Sequence, residues 1–136
     1  EIFDIPDETA IQFAKFVMGY PYAFQLLGSL LWAEGKRSID KEITEKLDAL
    51  LYDGSYQAIW NHMTKKEKKV LCAIAHSSTG TVKEIRGLLE METNQFSPYR
   101  ESLKESGLIN TDSYGSITFL LPRFKEFVLK AELFYS

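Results

Sequence analysis

The stretch GYPYAFQLLGSLLWA, from Gly19 to Ala33, decides how we expect the chain to fold. Gly19 is suited to end one helix, Tyr20 is held extended by the proline that follows it, and Pro21 is suited to the first position of the next helix. The second helix carries apolar residues nearly all round, which is typical of the buried centre of a bundle. The stretch therefore predicts a rigid elbow between two helices, the second of which lies at the core.

The residues on either side of this stretch predict further helices. A first helix is predicted from about Asp7 to Met18, opened by Pro6, where a proline and two acids suit the positive helix end. Ser38 is predicted to cap a third helix that Asp53-Gly54 end, and a short fourth helix follows. Residues 1–63 are thus predicted to form a small helical bundle.

The second half of the chain begins with two apparent helix starts. Thr64-Lys65-Lys66-Glu67 and Thr81-Val82-Lys83-Glu84 both match the capping box, S/T-x-x-E, ahead of apolar residues at helical spacing. A third helix is predicted from near Thr93, with Pro98 in its first turn or the helix opening just before it, and Gly107 at its end. These patterns predict three consecutive helices.

After Gly107 the periodicity changes to that of strands. Residues 108–111 and 116–120 are β-rich and are joined by a polar turn at 112–115, which predicts a β-hairpin. A helix is predicted again from Arg123 to the end of the chain. The predicted fold class is mainly α: a helical bundle over 1–63, then a winged helix-turn-helix with a β-hairpin wing and a C-terminal helix over 64–136.

Composition and charge agree with two small domains or one ordinary one. The chain has 136 residues, of which 45% are hydrophobic and 13% aromatic, enough to bury a core. The net charge is −3, but it is uneven, at −5 over residues 1–63 and +2 over residues 64–136. Only the second half has a charge that favours nucleic acid. The break at Met63-Thr64 is a predicted domain boundary.

The sequence also indicates the compartment. The longest apolar run is shorter than a membrane span needs, so we expect no membrane contact. The single Cys72 lies in an apolar helical segment and is expected to be a buried structural thiol in a reducing cytoplasm. Because the chain begins Glu-Ile-Phe-Asp without a methionine, we expect it to be a piece of a longer cytoplasmic protein.

Three segments together resemble a known family. They are the elbow of Gly19 to Tyr22 with Gln25 and Gly28 behind it, YRESLKESGLI at 99–109, and GSITFLLPRF at 115–124. This combination resembles the C-terminal lid and winged helix of prokaryotic AAA+/STAND-type ATPases, which include archaeal ATPases and are related to origin-type ATPases. The resemblance covers almost the whole chain, although none of its motifs is highly specific by itself.

The resemblance implies a nucleotide contact at the elbow. In the signalling members the equivalent Gly-x-Pro places its proline against the adenine of the bound nucleotide, which would make Gly19, Tyr20 and Pro21 the cofactor-binding residues here. Origin-type relatives carry an arginine near this elbow, and its absence here favours the signalling subclass. ATP or ADP with magnesium is expected in the full-length protein, bound with a missing N-terminal ATPase core, and not by this fragment alone.

The residues themselves indicate no active site. The sequence has no phosphate loop of the form G-x-x-x-x-G-K-[ST], so the fragment is expected to have no ATPase activity, although the full-length protein could have it. His62 and His76 have no cysteine or acid at ligand spacing, so we expect no metal site. Each histidine is expected at a helix end. We identify no catalytic residue.

A winged helix raises the question of DNA binding. With Phe96 facing inward, the predicted outward ridge of the third helix is Asn94, Pro98, Glu101 and Glu105, which brings carboxylates where phosphates would lie. The residues that could contact nucleic acid are at the start of the helix and on its flanks, namely Asn94, Gln95, Ser97 and Lys104.

Three functions are compatible with the sequence. The first is a regulatory fragment of an AAA+/STAND-type ATPase, in which the lid helps to bind nucleotide and the winged helix couples the nucleotide state to a partner. The second is a DNA-binding regulator that uses the winged helix. The third is a protein-interaction adaptor. The expected partners are the ATPase core and either a protein or DNA.

Overall fold

The computed structural model describes residues 7–135, so the predicted role of Pro6 at the first helix lies outside the described residues. The chain divides into two compact units, which we call unit 1 (residues 7–59 of the described part) and unit 2 (residues 60–135). The division falls a few residues before the composition break at Met63-Thr64. Each unit is described separately below.

Unit 1 is helical throughout its regular structure. Its elements are α1 (Asp7–Phe16), α2 (Pro21–Glu34), α3 (Lys41–Leu51), a π-helical segment (Tyr52–Tyr56) and the start of α4 (Gln57–Asn61).

Helix α1 ends in a turn that the sequence predicts only in part. The N–H of Gly19 donates to the carbonyl of Ala14 at 2.8 Å, and the N–H of Met18 donates to the carbonyl of Lys15 at 3.1 Å. This pair of bonds is that of a Schellman motif. Met18 has φ +55° and Gly19 has φ +69°, so Met18 takes the left-handed position that the sequence assigned to glycine. The elbow itself is as predicted, since Pro21 opens α2.

Helix α2 is less buried than the sequence suggests. Ala23, Leu27 and Leu31 are fully buried, but Phe24 and Trp32 are 38% and 56% exposed. The prediction that α2 is the buried centre of a bundle is therefore wrong. The helix has one buried face, which packs on α3, and a second apolar face that is partly open to solvent.

The segment between α2 and α4 differs from the prediction at both of its boundaries. Asp40, and not Ser38, caps α3, because its carboxylate accepts the N–H of Ile43 at 2.8 Å. Asp53-Gly54 do not end the helical path, which continues through the π-helical segment into α4. A wider turn accommodates these two residues without breaking the helix.

Unit 2 combines helices with a small antiparallel sheet. Its elements are α5 (Lys65–His76), α6 (Val82–Leu89), α7 (Thr93–Glu105), β1 (Ile109–Asn110), β2 (Thr118–Phe119) and α8 (Phe124–Tyr135).

Helix α5 is the central helix of unit 2. The predicted capping box at its start is confirmed: Thr64 Oγ1 accepts the N–H of Glu67 at 3.1 Å, and the Glu67 carboxylate accepts the N–H of Thr64 at 2.8 Å. The N–H of Thr64 above all, with the hydroxyls of Thr64 and Ser102, lowers the pKa of Glu67 below its ordinary value. The fully buried Val70 and Leu71 give α5 an apolar side, and the helix packs against α6, α7 and α8.

Helix α7 begins earlier relative to its proline than predicted. Glu92 is the N-cap residue of this helix, and Pro98 lies in its second turn, not its first. Pro98 cannot donate to the carbonyl four residues before it, which is Asn94. The inward residues Phe96 and Leu103 are buried as predicted.

The predicted hairpin is confirmed. Ile109 pairs with Phe119 and Asn110 with Thr118, in antiparallel register. A separate antiparallel bridge joins Thr81, just before α6, to Ser116. The end of the α5–α6 loop therefore lies beside the second strand of the hairpin, which extends the pairing beyond two strands.

Among the described helices, none has the length and apolarity needed to cross a membrane.

The α5–α6 loop is held by Glu84. Thr81 Oγ1 accepts the N–H of Glu84 at 3.2 Å, but the predicted reciprocal bond is wrong, because the Glu84 carboxylate binds the loop instead. It accepts the N–H of Thr79 at 2.9 Å and the hydroxyls of Ser77, Ser78 and Thr79. These donors lower the pKa of Glu84 from 4.5 to about 2.

The left-handed geometry of the elbow predicts a stability difference between two glycines. Gly19→Ala should lower the free energy of unfolding by about 1–2 kcal/mol, because a side chain at positive φ is strained. No atom lies within 4 Å of its added Cβ, so the cost comes from the backbone. Gly28→Ala, inside α2 and equally open, should raise stability by about 0.5–1 kcal/mol. Urea titrations of both variants measure this, and equal effects would contradict the assigned backbone geometry.

The bonds to Glu84 predict an acid-sensitive loop. Because the folded pKa is depressed, the stabilisation is complete above the ordinary value of 4.5 and is lost as the pH falls towards about 2. Glu84→Gln should make the urea midpoint of unit 2 less dependent on pH in this window and speed amide exchange at Thr79. Glu101→Gln, on the exposed side of α7, is the control and should behave as the wild type.

Candidate functional site

The elbow between α1 and α2 presents an exposed proline between two tyrosines. Pro21 is exposed, Tyr20 is half-buried, and Tyr22 is 41% exposed. The rings of Tyr20 and Tyr22 meet edge to face, with centroids 6.2 Å apart and planes at 71°. The structure therefore brings together the three residues that the resemblance assigns to nucleotide binding, and Pro21 is accessible from solvent.

The elbow belongs to a larger cluster of tyrosines in unit 1. Tyr56 is fully buried, and its pKa is raised mainly by burial, with smaller effects from the nearby Tyr20 and Tyr52. Tyr22 Oη lies only 3.0 Å from where a Cβ on Gly54 would stand. The π-helical segment that contains Gly54 thus lies directly beside the elbow. This cluster is not apparent from the sequence, although Tyr52 and Tyr56 have helical spacing.

The start of α2 has backbone N–H groups that no N-cap side chain binds. Tyr20 precedes the helix with extended backbone angles, and within the described residues no side chain caps this end. The first turn also contains no acidic residue. The partial positive charge of the helix end is therefore not neutralised locally, which suits a site for an electronegative ligand.

The outer face of α7 is arranged as the sequence predicts. Asn94, Pro98, Glu101 and Glu105 are all exposed, and so is Lys104. A duplex approaching this face would meet two carboxylates on the ridge and only one lysine on its flank.

Two of the four residues proposed for nucleic acid are engaged within the chain. Gln95 Oε1 accepts the N–H of Glu92 at 2.8 Å and completes a capping box that the sequence analysis missed. Ser97 Oγ donates to the carbonyl of Thr93 at 2.8 Å. Asn94 and Lys104 are exposed at the start and near the end of α7, so the four residues do not form one contact surface.

Unit 2 also contains a groove that the sequence analysis did not predict, which we call the α5 groove. It has a volume of about 830 Å³ and is lined by one side of α5, by Trp60, by the end of α6 and by Glu132 of α8. Lys68 Nζ lies 5.3 Å from the centre of the Trp60 ring, a cation–π contact. The signal for the groove is the stripe of Lys65, Lys68, Cys72 and His76 along one face of α5, but its other residues come from distant segments.

The polar residues in the α5 groove do not form a nucleophilic site. His76 Nε2 lies 2.6 Å from the Glu132 carboxylate, and His76 is at a helix end as predicted. Cys72 is partly exposed, not fully buried as predicted. Burial above all, with help from Glu132, raises the pKa of its thiol to about 12. The thiol is therefore protonated at neutral pH, and no group of metal ligands occurs among the described residues.

Comparison with known proteins gives one match. The model of a domain family described as a domain of unknown function, DUF8462, matches residues 53–128, which covers all but the first residue of the π-helical segment and most of unit 2. No curated protein and no solved structure matches the chain.

The α7 geometry predicts weak DNA binding. The chain should show little or no change in the fluorescence anisotropy of a labelled 20-base-pair duplex at physiological salt, because Glu101 and Glu105 repel phosphates. Reversing both charges, in Glu101→Lys/Glu105→Lys, should create binding that weakens steeply with salt. Tight binding by the wild type that is lost in Asn94→Ala would show that α7 reads DNA despite its acids.

Proposed function

Since the chain belongs to the DUF8462 family, whose function is unknown, we propose a function from its own geometry. We propose that it is the C-terminal regulatory part of an AAA+/STAND-type ATPase. In this proposal unit 1 is the lid that contacts the bound nucleotide, and unit 2 transmits the nucleotide state to a protein partner. In this proposal the chain, whose sequence contains no phosphate loop, does not hydrolyse ATP by itself.

The observation that carries the proposal is the exposed Pro21 in a fixed turn. The Schellman bonds of Met18 and Gly19 set the direction in which the chain leaves α1, and the proline ring sets φ at the first position of α2. An adenine could therefore pack on a ring that loses little freedom on binding. Tyr20 and Tyr22 add aromatic surface on either side.

The π-helical segment beside the elbow supports the same assignment. Single π-helical turns inside helices are frequent at functional sites. Here the segment brings Gly54 close to Tyr22 Oη, which lies 3.0 Å from where a Cβ on Gly54 would stand. The nucleotide contact that we propose thus has the π-helical segment as its neighbour. Residues of the ATPase core would supply the rest of the site for ATP or ADP with magnesium.

For unit 2 we propose a winged helix-turn-helix over residues 64–122. The support is the order α5, a bridged Thr81, α6, α7 and the β1–β2 hairpin, which is the order such a domain requires. The connection at 112–115 would be the wing, and Gly115 has the positive φ that suits a tight turn. The C-terminal α8 packs on α5.

We propose a protein, not DNA, as the partner of this winged helix. The exposed ridge of α7 is acidic, and two of the four residues that could read bases are bound within the chain. A DNA-binding regulator is therefore the less favoured function. An adaptor without a nucleotide role remains the second candidate, and the unneutralised α2 end together with the exposed Pro21 favours the lid over it.

Substitution of Pro21 tests the lid proposal. In the protein that joins this chain to its ATPase core, Pro21→Ala should weaken ADP and ATP binding about tenfold, which corresponds to about 1.4 kcal/mol of lost contact. The chain should stay folded, because a helix accepts alanine at this position. Titration with a fluorescent ADP analogue measures the affinity.

Pro98 supplies the matched control for this experiment. It is also an exposed proline inside a helix, but it lies on α7 in unit 2. Pro98→Ala should leave nucleotide affinity unchanged. Equal affinity of the wild type and a folded Pro21→Ala variant would reduce Pro21 to a helix initiator and favour the adaptor.

A further inference from the structure

The α5 groove has an apolar surface that unit 2 does not cover. It is formed by Leu88, which is 52% exposed, and by the partly exposed Leu89 and Cys72, while Trp60 and Ala73 lie beneath it and are only 2% and 7% exposed. A volume of about 830 Å³ lies in the range of sites that enclose several side chains of a ligand. The groove is therefore large enough for apolar side chains of a partner to leave water.

The groove also has a row of positive charge on α5. Lys65 and Lys69 are exposed, and within residues 7–135 neither takes part in an ion pair. Lys68 lies over Trp60, so its charge is held beside the apolar surface. Three lysines at one end of the groove favour a negatively charged ligand.

The acidic residues that line the groove come from the end of α6 and from α8. There are two of them, against three lysines on α5. The Glu132 carboxylate lies 2.6 Å from His76 Nε2, so one of its oxygens already has a partner within unit 2. Glu90 is the C-cap residue of α6, where it has left-handed backbone angles, and it is exposed. A ligand that fits must therefore carry mainly acidic groups along α5, together with apolar groups and room for one basic group near Glu90.

The length of the groove limits the ligand further. The α5 stripe runs from Lys65 to His76, which is about 16 Å at about 1.5 Å per residue. This length matches about three turns of a helix. Helices that bind in grooves use apolar anchors at i, i+3, i+4 and i+7, a pattern that suits this mixture of surfaces.

We propose that the α5 groove binds an acidic, amphipathic helical segment of a partner protein. The apolar side of the segment lies on Leu88 and Leu89, next to the buried Trp60, and its acids face Lys65 and Lys69. This inference rests on the proposed function only in naming the class of partner that unit 2 takes, and it does not depend on nucleotide.

A peptide fits the groove better than nucleic acid does. A phosphate backbone would meet the carboxylates of Glu90 and Glu132 and would leave the apolar surface at Leu88 without a contact. A peptide can place a different side chain against each of these groups.

The test uses the whole chain and a displayed library of random 16-residue peptides. Selected peptides should be rich in Asp and Glu and should carry apolar residues at helical spacing. The affinity of an enriched peptide is then measured on the wild type. Lys65→Glu/Lys69→Glu should weaken it at least tenfold, whereas Lys66→Glu/Lys83→Glu, with the same change in net charge outside the groove, should change it less than twofold.

A second pair of variants tests the apolar contact. Leu88→Ser should weaken the enriched peptide about fivefold or more. Leu133→Ser, which changes a leucine that is 79% exposed and outside the groove, should have no effect. Thermal unfolding of each variant establishes that it is folded.

The two tryptophans of the chain locate the binding site. In a chain labelled with 5-fluorotryptophan, the ¹⁹F resonance of Trp60 should shift on peptide addition and that of Trp32 should not. Failure to enrich any acidic amphipathic peptide, or equal losses in the two lysine pairs, would overturn the proposal. Binding of duplex DNA that shifts Trp60 and depends on Lys65 and Lys69 would overturn it in favour of nucleic acid.

The same variants separate this inference from the lid proposal. Pro21→Ala should leave peptide affinity unchanged, and Lys65→Glu/Lys69→Glu should leave nucleotide affinity unchanged. Loss of the peptide effect with the nucleotide effect intact would therefore reject the groove alone, and the reverse would reject the lid alone.

Discussion

The burial of one side of α5 is the packing constraint on which unit 2 depends. Val70, Leu71 and Ile74 turn one side of the helix into the core, where α6 and α8 pack on it, and the Thr64–Glu67 box fixes where the helix begins. Because residues three to four apart lie on the same face of a helix, the same arrangement leaves Lys65, Lys69 and Cys72 together on the side that lines the groove. The core and the candidate binding surface of unit 2 are consequently two faces of one element, and the position of either follows from the packing of the other.

The sequence predicts the elements whose signals are local. The elbow at Pro21, the Thr64 cap and the β-hairpin were each determined by a few neighbouring residues, and the structure confirms them. The sequence does not predict features that depend on competition between hydrogen-bond partners. Glu84 has a capping-box position but binds the α5–α6 loop, where Ser77, Ser78 and Thr79 offer more donors than Thr81 alone. In the same way, the apolar residues all round α2 do not predict which face of the helix will be buried. Asp53-Gly54 has the pattern of a helix end, although a π-helical turn includes both residues and the helical path continues. The groove was not predictable for a simpler reason: Trp60, Leu88 and Glu132 are far apart in sequence.

The two candidate sites differ in the physical basis of binding. At the elbow the proposed ligand contact is a proline whose ring fixes its own φ, after a turn set by two backbone hydrogen bonds, so recognition there would rely on preorganisation. In the α5 groove the lysines present charge at the ends of long side chains, and the recognition that we propose there would rely on charge and on apolar area. The first suits a small ligand of constant shape. The second suits a protein segment whose sequence can vary while its pattern is kept.

Cys72 has a consequence for the chemical resilience of the groove. Oxidation of a cysteine by peroxide proceeds through the thiolate, and the raised pKa of about 12 leaves almost none of this form at neutral pH. Partial exposure alone would suggest a thiol vulnerable to oxidants, but burial among apolar residues, with the carboxylate of Glu132 beside it, disfavours the thiolate. The thiol can thus line a solvent-facing surface in its protonated form, which adds no charge to that surface.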